Sequence, residues 1–222
     1  MFGRVSSGLT VAVMSLAFAL APSVASASGD LDSCGSVDVE YATSANLKVD
    51  DTLMGAGNGV YRIGPGHIVL RFDAHGSSSG VRMLSYEMPQ HFTVVSNVLF
   101  WRTTVATRAE SRAVPVRATI AEGTLDGHTL RWAGPAVGFR SDGTLTCDGS
   151  MCGQFGAPAP GTTELHMGPN PIDFRPFEFG ADMKTFSMPY TIVSQSSSPR
   201  QRSFLALGGR EVRRACAPVG SI

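Results

Sequence analysis

Motifs that would assign an activity are scarce in this sequence of 222 residues. There is no H-E-x-x-H zinc pair and no calcium-binding loop. The glycine-rich stretch at 55–59 is not followed by Lys-Ser or Lys-Thr, so it does not predict a phosphate-binding loop. We therefore predict no catalytic, cofactor-binding or metal-binding residues, and the sequence favours a protein that is not an enzyme.

Lysine is also scarce, with two lysines against sixteen arginines. The 18 basic residues balance the 18 acidic ones, so a nucleic-acid partner is not expected, because phosphate binding needs a basic surplus. One local basic excess consists of Arg200, Arg202, Arg210, Arg213 and Arg214. It could contact an anionic envelope polymer, but charges that protect a solvated edge hairpin explain it more simply.

A long apolar run occurs once, at residues 9–20, and is shorter than the roughly 20 residues that span a bilayer. It follows Arg4, ends before Pro22 and precedes the small residues Ala25-Ser26-Ala27, which is typical of a secretory signal peptide. We predict a signal peptide at 1–27 that is cleaved near Ala27. The mature chain would be secreted or periplasmic, without a transmembrane segment, and residues 28–222 would form one all-β domain.

Four cysteines remain after this cleavage, an even number that favours disulfides in an exported chain. Cys147 and Cys152 flank the tight turn Asp148-Gly149, which predicts a small closed loop. Cys34 would then pair with Cys216 and join the ends of the domain. In the loop-entropy model the short bridge contributes roughly 2 kcal/mol and the long bridge about 4 to 5 kcal/mol.

The strongest local folding signal lies in residues 114–140, where Asp126-Gly127 separates two β-prone segments. With both of these residues at the turn, Glu122 faces Arg131 in a cross-strand charge pair. The apolar residues of the first segment are then even-numbered up to Ile120 but odd-numbered at Leu125, so they would lie on opposite faces of the strand. We expect a β-bulge at Gly123, whose extra residue would place them on one face.

About a dozen short strands, separated by Gly, Pro, Asp and Asn, predict an all-β fold. We expect hairpin turns at Gly64-Pro65-Gly66 and Asp142-Gly143, and a strand that ends at Pro89. No amphipathic helix is evident. An antiparallel β-sandwich is favoured, with a β-barrel as the alternative, in a single domain with disulfides.

The most chemically suggestive residues are Asp73, His75, Glu87 and His91. Asp73 and His75 are two positions apart and would share a strand face with His67. Such side chains could ligate a metal or exchange protons. A polar outward face, with Arg71 neutralising Asp73, is the simpler interpretation.

Three functions compete. The first is an exported, non-catalytic domain with a binding or structural role at the cell envelope or outside the cell, where the partner is an envelope or extracellular polymer. The second is a secreted hydrolase that uses the four carboxylate and histidine residues above. The third is a carrier of an apolar ligand, suggested by five methionines that could line a cavity: Met54, Met83, Met88, Met183 and Met188.

Overall fold

Antiparallel strands make up most of this computed structural model, which describes residues 34–51, 58–73, 79–98, 101–113, 119–155, 160–195 and 201–217. Within these ranges there is no α-helix, and one 3-10 turn spans Cys152–Phe155. The strands are β1 (Ser36–Asp51), β2 (Gly59–Asp73), β3 (Ser79–Val98), β4 (Trp101–Ala113), β5 (Ala121–Asp126), β6 (Thr129–Trp132), β7 (Ala136–Asp148), β8 (Gly161–Ile172), β9 (Phe177–Phe179), β10 (Thr185–Gln195) and β11 (Gln201–Cys216). The predicted all-β class is confirmed.

Eight of the strands close into a barrel in the order β2-β1-β11-β10-β9-β6-β5-β3, because β3 also pairs with β2. The barrel, which was the alternative in the sequence analysis, is therefore found, and the favoured sandwich is not confirmed. The deciding pairing joins His67 to Glu87 and Phe72 to Val81 across the β2–β3 seam. Strand periodicity alone does not reveal whether two such strands meet.

Strand β3 is shared by the barrel and a second sheet. Its positions 81–87 pair with β2, whereas its positions 87–98 pair with β4. Strands β7 and β8 follow β4, and we call the assembly of β4, β7, β8 and the second half of β3 the extension sheet. The extension sheet thus continues from the barrel wall without a linker.

The barrel interior is filled by large apolar side chains. Tyr41, Ile68, Leu70 and Phe177 are fully buried. The rings of Phe177 and Phe186 stack with centroids 4.6 Å apart. Burying a large apolar side chain contributes roughly 1.5–3 kcal/mol, so this cluster is a major source of the stability of the barrel.

A smaller apolar cluster joins the extension sheet to β2. Val94, Val105 and the disulfide-bonded Cys147 are buried in it, and Tyr61 and Phe92 pack against them. The Tyr61 and Phe92 rings lie 5.4 Å apart, which links β2 to the second half of β3 beyond the point where their pairing ends.

The hairpin at Asp126 forms with a different register from the predicted one. Asp126 pairs with Thr129, so the turn consists of Gly127 and His128, with Gly127 at a φ of 58°. A two-residue turn can take glycine at its first position, which the sequence interpretation had assigned to the second. Thr124 therefore faces Arg131, and the predicted pairing of Glu122 with that arginine is wrong.

The predicted bulge at Gly123 is also wrong. Pairing with β3 and β6 is regular at this residue, and the amide of Ala133 donates to the Glu122 carbonyl at 2.8 Å. The buried Ile120 precedes the strand, so no parity change within the strand is needed. A Cβ on Gly123 would lie 2.6 Å from the Arg131 carbonyl, and this close approach accounts for the glycine.

Three further predicted breaks lie inside continuous strands. Gly64-Pro65-Gly66 is part of β2, Pro89 of β3 and Asp142-Gly143 of β7. A Cβ on Gly66 would collide with the Glu87 carbonyl, and one on Gly143 with the Arg108 carbonyl. These glycines permit close contact between strands rather than turns.

Both disulfides form with the predicted partners. Cys34 pairs with Cys216 across 182 residues, and Cys147 pairs with Cys152 across five. The first bridge fastens the start of β1 to the end of β11, which are neighbours in the barrel wall. The bridges fit an oxidising extracellular or periplasmic location. The predicted signal peptide at 1–27 lies outside the described residues.

Candidate functional site

Charged side chains cover the outward face of the extension sheet. Directly paired residues on neighbouring strands point to the same side of a sheet, so the register of β3, β4, β7 and β8 defines this face. We call it the charged face, and its members are Glu87, His91, Arg108, Glu110, Arg112, Arg140, Asp142, Glu164 and His166. The arginines, the glutamates and both histidines among them are exposed, and Asp142 is half-buried.

His166 lies between two carboxylates on this face. When protonated, its ring donates from Nδ1 to Asp142 Oδ1 at 3.0 Å and from Nε2 to Glu164 Oε2 at 3.1 Å. Asp142 is its direct partner on β7, and Glu164 lies two residues before it on β8. The hydrogen bond to Asp142, followed by that to Glu164, raises the pKa of His166 above its usual 6.5.

Two more histidines pair with carboxylates nearby. His91 Nε2 lies 3.3 Å from Glu110 Oε1, and His67 Nε2 on β2 lies 3.7 Å from Glu87 Oε2. Three of the five histidines in the chain therefore contact acidic partners along one side of the molecule. All of these side chains are more than a third exposed, so solvent screens the ion pairs and each contributes little to stability.

Arginines alternate with carboxylates along the strands, as Arg108, Glu110 and Arg112 do on β4. Arg112 pairs with Glu87 on one side and Arg140 on the other, while Arg108 lies opposite His91. With neutral histidines the charged face carries four carboxylates and three guanidinium groups, so it is nearly neutral overall. Charges of both signs are interspersed, as on an ordinary solvated surface.

The arrangement at His166 can exchange protons with water, but it lacks the other parts of a hydrolytic site. Its side chain is 66% exposed, so no water-excluding environment strengthens its electrostatic effects. The charged face is a sheet surface rather than a cleft. In the portion of the chain that the structure describes, no group of three or more His, Cys, Asp or Glu side chains could hold a metal ion.

The three candidate residues that the structure describes, Asp73, Glu87 and His91, are not brought together. Glu87 and His91 lie four positions apart on β3, about 13 Å at the usual rise per residue. Asp73 lies six positions along β2 from His67, the partner of Glu87, or about 20 Å away. His75 is outside the described residues. The described members therefore belong to separate ion pairs and do not converge on one site.

Asp73 belongs to a polar network on the barrel wall. Its Oδ1 accepts hydrogen bonds from Ser36 Oγ at 2.9 Å and from Arg82 at 3.1 Å. Arg71, the expected neutraliser of Asp73, donates from Nε and Nη2 to the two carboxylate oxygens of Asp38, at 2.7 and 2.9 Å, and the charge of Asp73 also acts on it. Arg71 is only 6% exposed and Asp38 is half-buried, so this bidentate pair is a partly buried structural element.

A short match to the nucleophile-elbow pattern G-x-S-x-G occurs at residues 76–80, of which only Ser79 and Gly80 are described. Both belong to β3, and the stretch connects β2 to β3. An elbow presents its serine between a strand and a helix, so this context does not match.

The methionines proposed to line a carrier cavity contribute instead to the packed core. Met83, Met88 and Met188 are buried in it, and Met183 packs against it. Met54 lies outside the described residues. One surface depression of about 360 Å³ includes Ile120, Glu122 and Pro135. Another, of about 420 Å³, lies beside Thr43, Gly208 and Arg210. Both are open surface features rather than enclosed apolar cavities.

The basic excess near the carboxyl end is divided among different environments. Arg214 donates to Glu211 through Nε at 3.0 Å and Nη2 at 2.7 Å. Arg213 lies opposite Glu40, and Arg210 lies opposite Ala42. Arg202 lies opposite Asp50, and Arg200 is outside the described residues. The four described arginines follow β11 rather than forming one compact cluster.

Sequence reasoning did not identify the most closely connected group, His166 with Asp142 and Glu164. Glu164 and His166 are two positions apart, the spacing that places side chains together on a strand face. That spacing was visible in the sequence. The third member, Asp142, had been assigned to a turn, so its pairing with His166 could not be anticipated.

No family model, curated protein or solved structure matches this chain. In the described ranges we find no helix with the length and apolar character needed to cross a membrane.

Proposed function

We propose that this protein is an exported, non-catalytic domain with a binding role at the cell envelope or outside the cell. The observation that carries the proposal is the distribution of its titratable side chains. Histidines and carboxylates form separate, exposed pairs across an open sheet surface, such as His91 with Glu110 and His166 with Asp142. A surface of this kind suits contact with an extended polar partner.

The alternative of a hydrolase is less well supported. General acid–base catalysis requires a proton donor and acceptor that reach one substrate atom. Glu87 and His91 are too far apart along β3 to share such an atom, and their pairing partners, His67 and Glu110, are different.

A carrier role is also less well supported by the described interior. The closely stacked rings of Phe177 and Phe186 and the fully buried Met83 and Leu130 fill the barrel. A ligand would have to displace this packing, whereas carrier sites are usually preformed cavities.

Two assays on the secreted mature protein test the proposal. We expect the protein to co-sediment with isolated cell envelopes and to show no turnover of chromogenic ester, peptide and glycoside substrates. Turnover that is lost in Glu87→Gln or His91→Gln, but retained in the exposed control variant Glu178→Gln, would show that the protein is an enzyme. Failure to sediment with envelopes, or with extracellular polymer from the same cells, would contradict a binding role.

A further inference from the structure

One row of side chains on the outer face of the barrel wall formed by β2, β1, β11 and β10 combines exposed apolar residues at its two ends with a cation and a half-buried aromatic ring between them. Val60 lies opposite Lys48, Lys48 opposite Phe204, and Phe204 opposite Ile192. Val60 and Ile192 are 59% and 52% exposed, and Tyr190 in the neighbouring bulge is 44% exposed. Phe204 and Ile192 are direct neighbours, and exposed apolar side chains that lie together commonly mark an interaction surface.

Cations accompany this row. Lys48 Nζ lies 5.5 Å from the centroid of the Phe204 ring and 3.0 Å from Asp50 Oδ2. Arg62 and Arg202 occupy outward positions in the adjacent rows of β2 and β11, and both are exposed. Among the described side chains of this surface, three cations therefore accompany one carboxylate. We call this surface the basic–apolar face, and it consists of Lys48, Asp50, Val60, Arg62, Tyr190, Ile192, Arg202 and Phe204.

We infer that the basic–apolar face docks on an anionic lipid surface, an inference that rests on the proposed envelope role. Aliphatic and aromatic side chains enter the boundary between headgroups and acyl chains, while Lys and Arg contact anionic headgroups. Val60, Ile192 and Tyr190 supply the aliphatic and aromatic side chains, and Arg62 and Arg202 supply the cations. The chain attaches to the lipid surface peripherally and reversibly.

Charge favours this partner over a second copy of the chain. A two-fold dimer places the same patch against itself, which would oppose three cations and one anion with an identical set. A polar polymer could match the cations, but it would leave the aliphatic side chains of Val60 and Ile192 without an apolar partner. An anionic lipid surface matches both features.

Vesicle sedimentation tests the inference with the disulfide-bonded mature protein. We expect binding to vesicles of 30% phosphatidylglycerol and 70% phosphatidylcholine, weaker binding at higher salt, and little binding to pure phosphatidylcholine. The double variant Arg62→Gln/Arg202→Gln should bind about 25-fold more weakly, at about fivefold for each cation. The double variant Val60→Ser/Ile192→Ser should bind about tenfold more weakly.

Matched control variants remove two arginine charges, or two exposed apolar side chains, outside the basic–apolar face. Arg131→Gln/Arg175→Gln changes the net charge equally at exposed positions outside both faces, and Val95→Ser/Val212→Ser removes two exposed valines elsewhere. Both controls should bind as the unmodified protein does, with unchanged thermal unfolding in all variants.

Three results would overturn lipid docking: no binding to anionic vesicles, full binding by the face variants, or a dimer that dissociates in Val60→Ser/Ile192→Ser. Binding to envelope polymer freed of lipid, without vesicle binding, would overturn lipid docking while leaving the proposed envelope role intact. If the protein binds neither anionic vesicles nor envelope polymer, both lipid docking and the proposed envelope role are contradicted.

Discussion

Gly209 lies beneath the aromatic ring of Phe186, its direct partner across the β10–β11 ladder. A Cβ at position 209 would collide with the Cε1 of that ring. Phe186 also stacks on Phe177 in the barrel core, so it has little room to move away. The missing side chain of Gly209 therefore helps to set the packing of the whole aromatic cluster.

Gly209→Ala should destabilise the protein by about 1–3 kcal/mol, because overpacking forces the ring out of its preferred position. Gly208→Ala is the matched control. Its Cβ would lie 3.7 Å from the Phe186 carbonyl, an ordinary contact, so we expect little loss of stability. Urea unfolding followed by circular dichroism measures both. Equal stability of the two variants would show that the ring readily accommodates a methyl group.

Asp38→Asn should cost about 1–3 kcal/mol, because it replaces a carboxylate that accepts two charge-assisted hydrogen bonds from the buried Arg71. Asp50→Asn removes the same charge from an exposed pair with Lys48 and should cost less than about 1 kcal/mol. Chemical unfolding at constant salt compares the two variants. A larger effect at Asp50 would contradict the structural role assigned to the Asp38–Arg71 pair.

The pKa of His166 should lie above 6.5 in the folded protein, because Asp142 and Glu164 stabilise its protonated ring. The interaction stabilises the fold below the pKa of the unfolded chain, and this contribution is lost as the pH rises through the higher folded pKa. NMR titration of the histidine ring protons measures the pKa directly.

Asp142→Asn should move the pKa of His166 back towards 6.5, because the first of its two carboxylate partners becomes neutral. Asp148→Asn, six positions further along β7, removes the same charge without touching His166 and serves as the control. An equal shift in both variants would attribute the effect to net charge rather than to the hydrogen bond.

The two disulfides should differ in their response to a mild reductant under native conditions. Cys147 and Cys152 are both buried, whereas Cys216 is exposed and offers a sulfur that a reductant can reach. Alkylation after brief reduction, read by mass spectrometry, should label Cys34 and Cys216 first. Earlier labelling of the Cys147–Cys152 bridge would show that its loop opens more readily than its burial indicates.

The sequence predicted features that depend on local periodicity or on cysteine spacing. Alternation along β1 places Val39 and Tyr41 in the core, and the tight turn between Cys147 and Cys152 led to the correct pairings. The sequence favoured the sandwich, whereas the structure contains the closed barrel that was the alternative. That distinction depends on whether β2 pairs with β3, and such backbone pairing between two strand edges is not encoded in the alternation of either strand.

Most of the turns that were predicted but not found had been assigned at glycine residues. Asp142-Gly143 resembles the Asp-Gly of a hairpin, yet Gly143 lies in the middle of β7 against Ala109. A glycine that permits a turn and a glycine that permits close strand contact have the same local sequence signature. This error also concealed the pairing of Asp142 with His166, and hence the best-connected part of the charged face.

The twenty residues of β3 make the barrel and the extension sheet share backbone hydrogen bonds along one strand. If β3 separates as a whole from β2, the hydrogen bonds between β3 and β4 in the extension sheet are disturbed as well, and the reverse also holds. Amide hydrogens on both sides of Glu87 should therefore exchange through a common opening event. A partner that binds the charged face would, by the same linkage, slow exchange at barrel positions that it never touches.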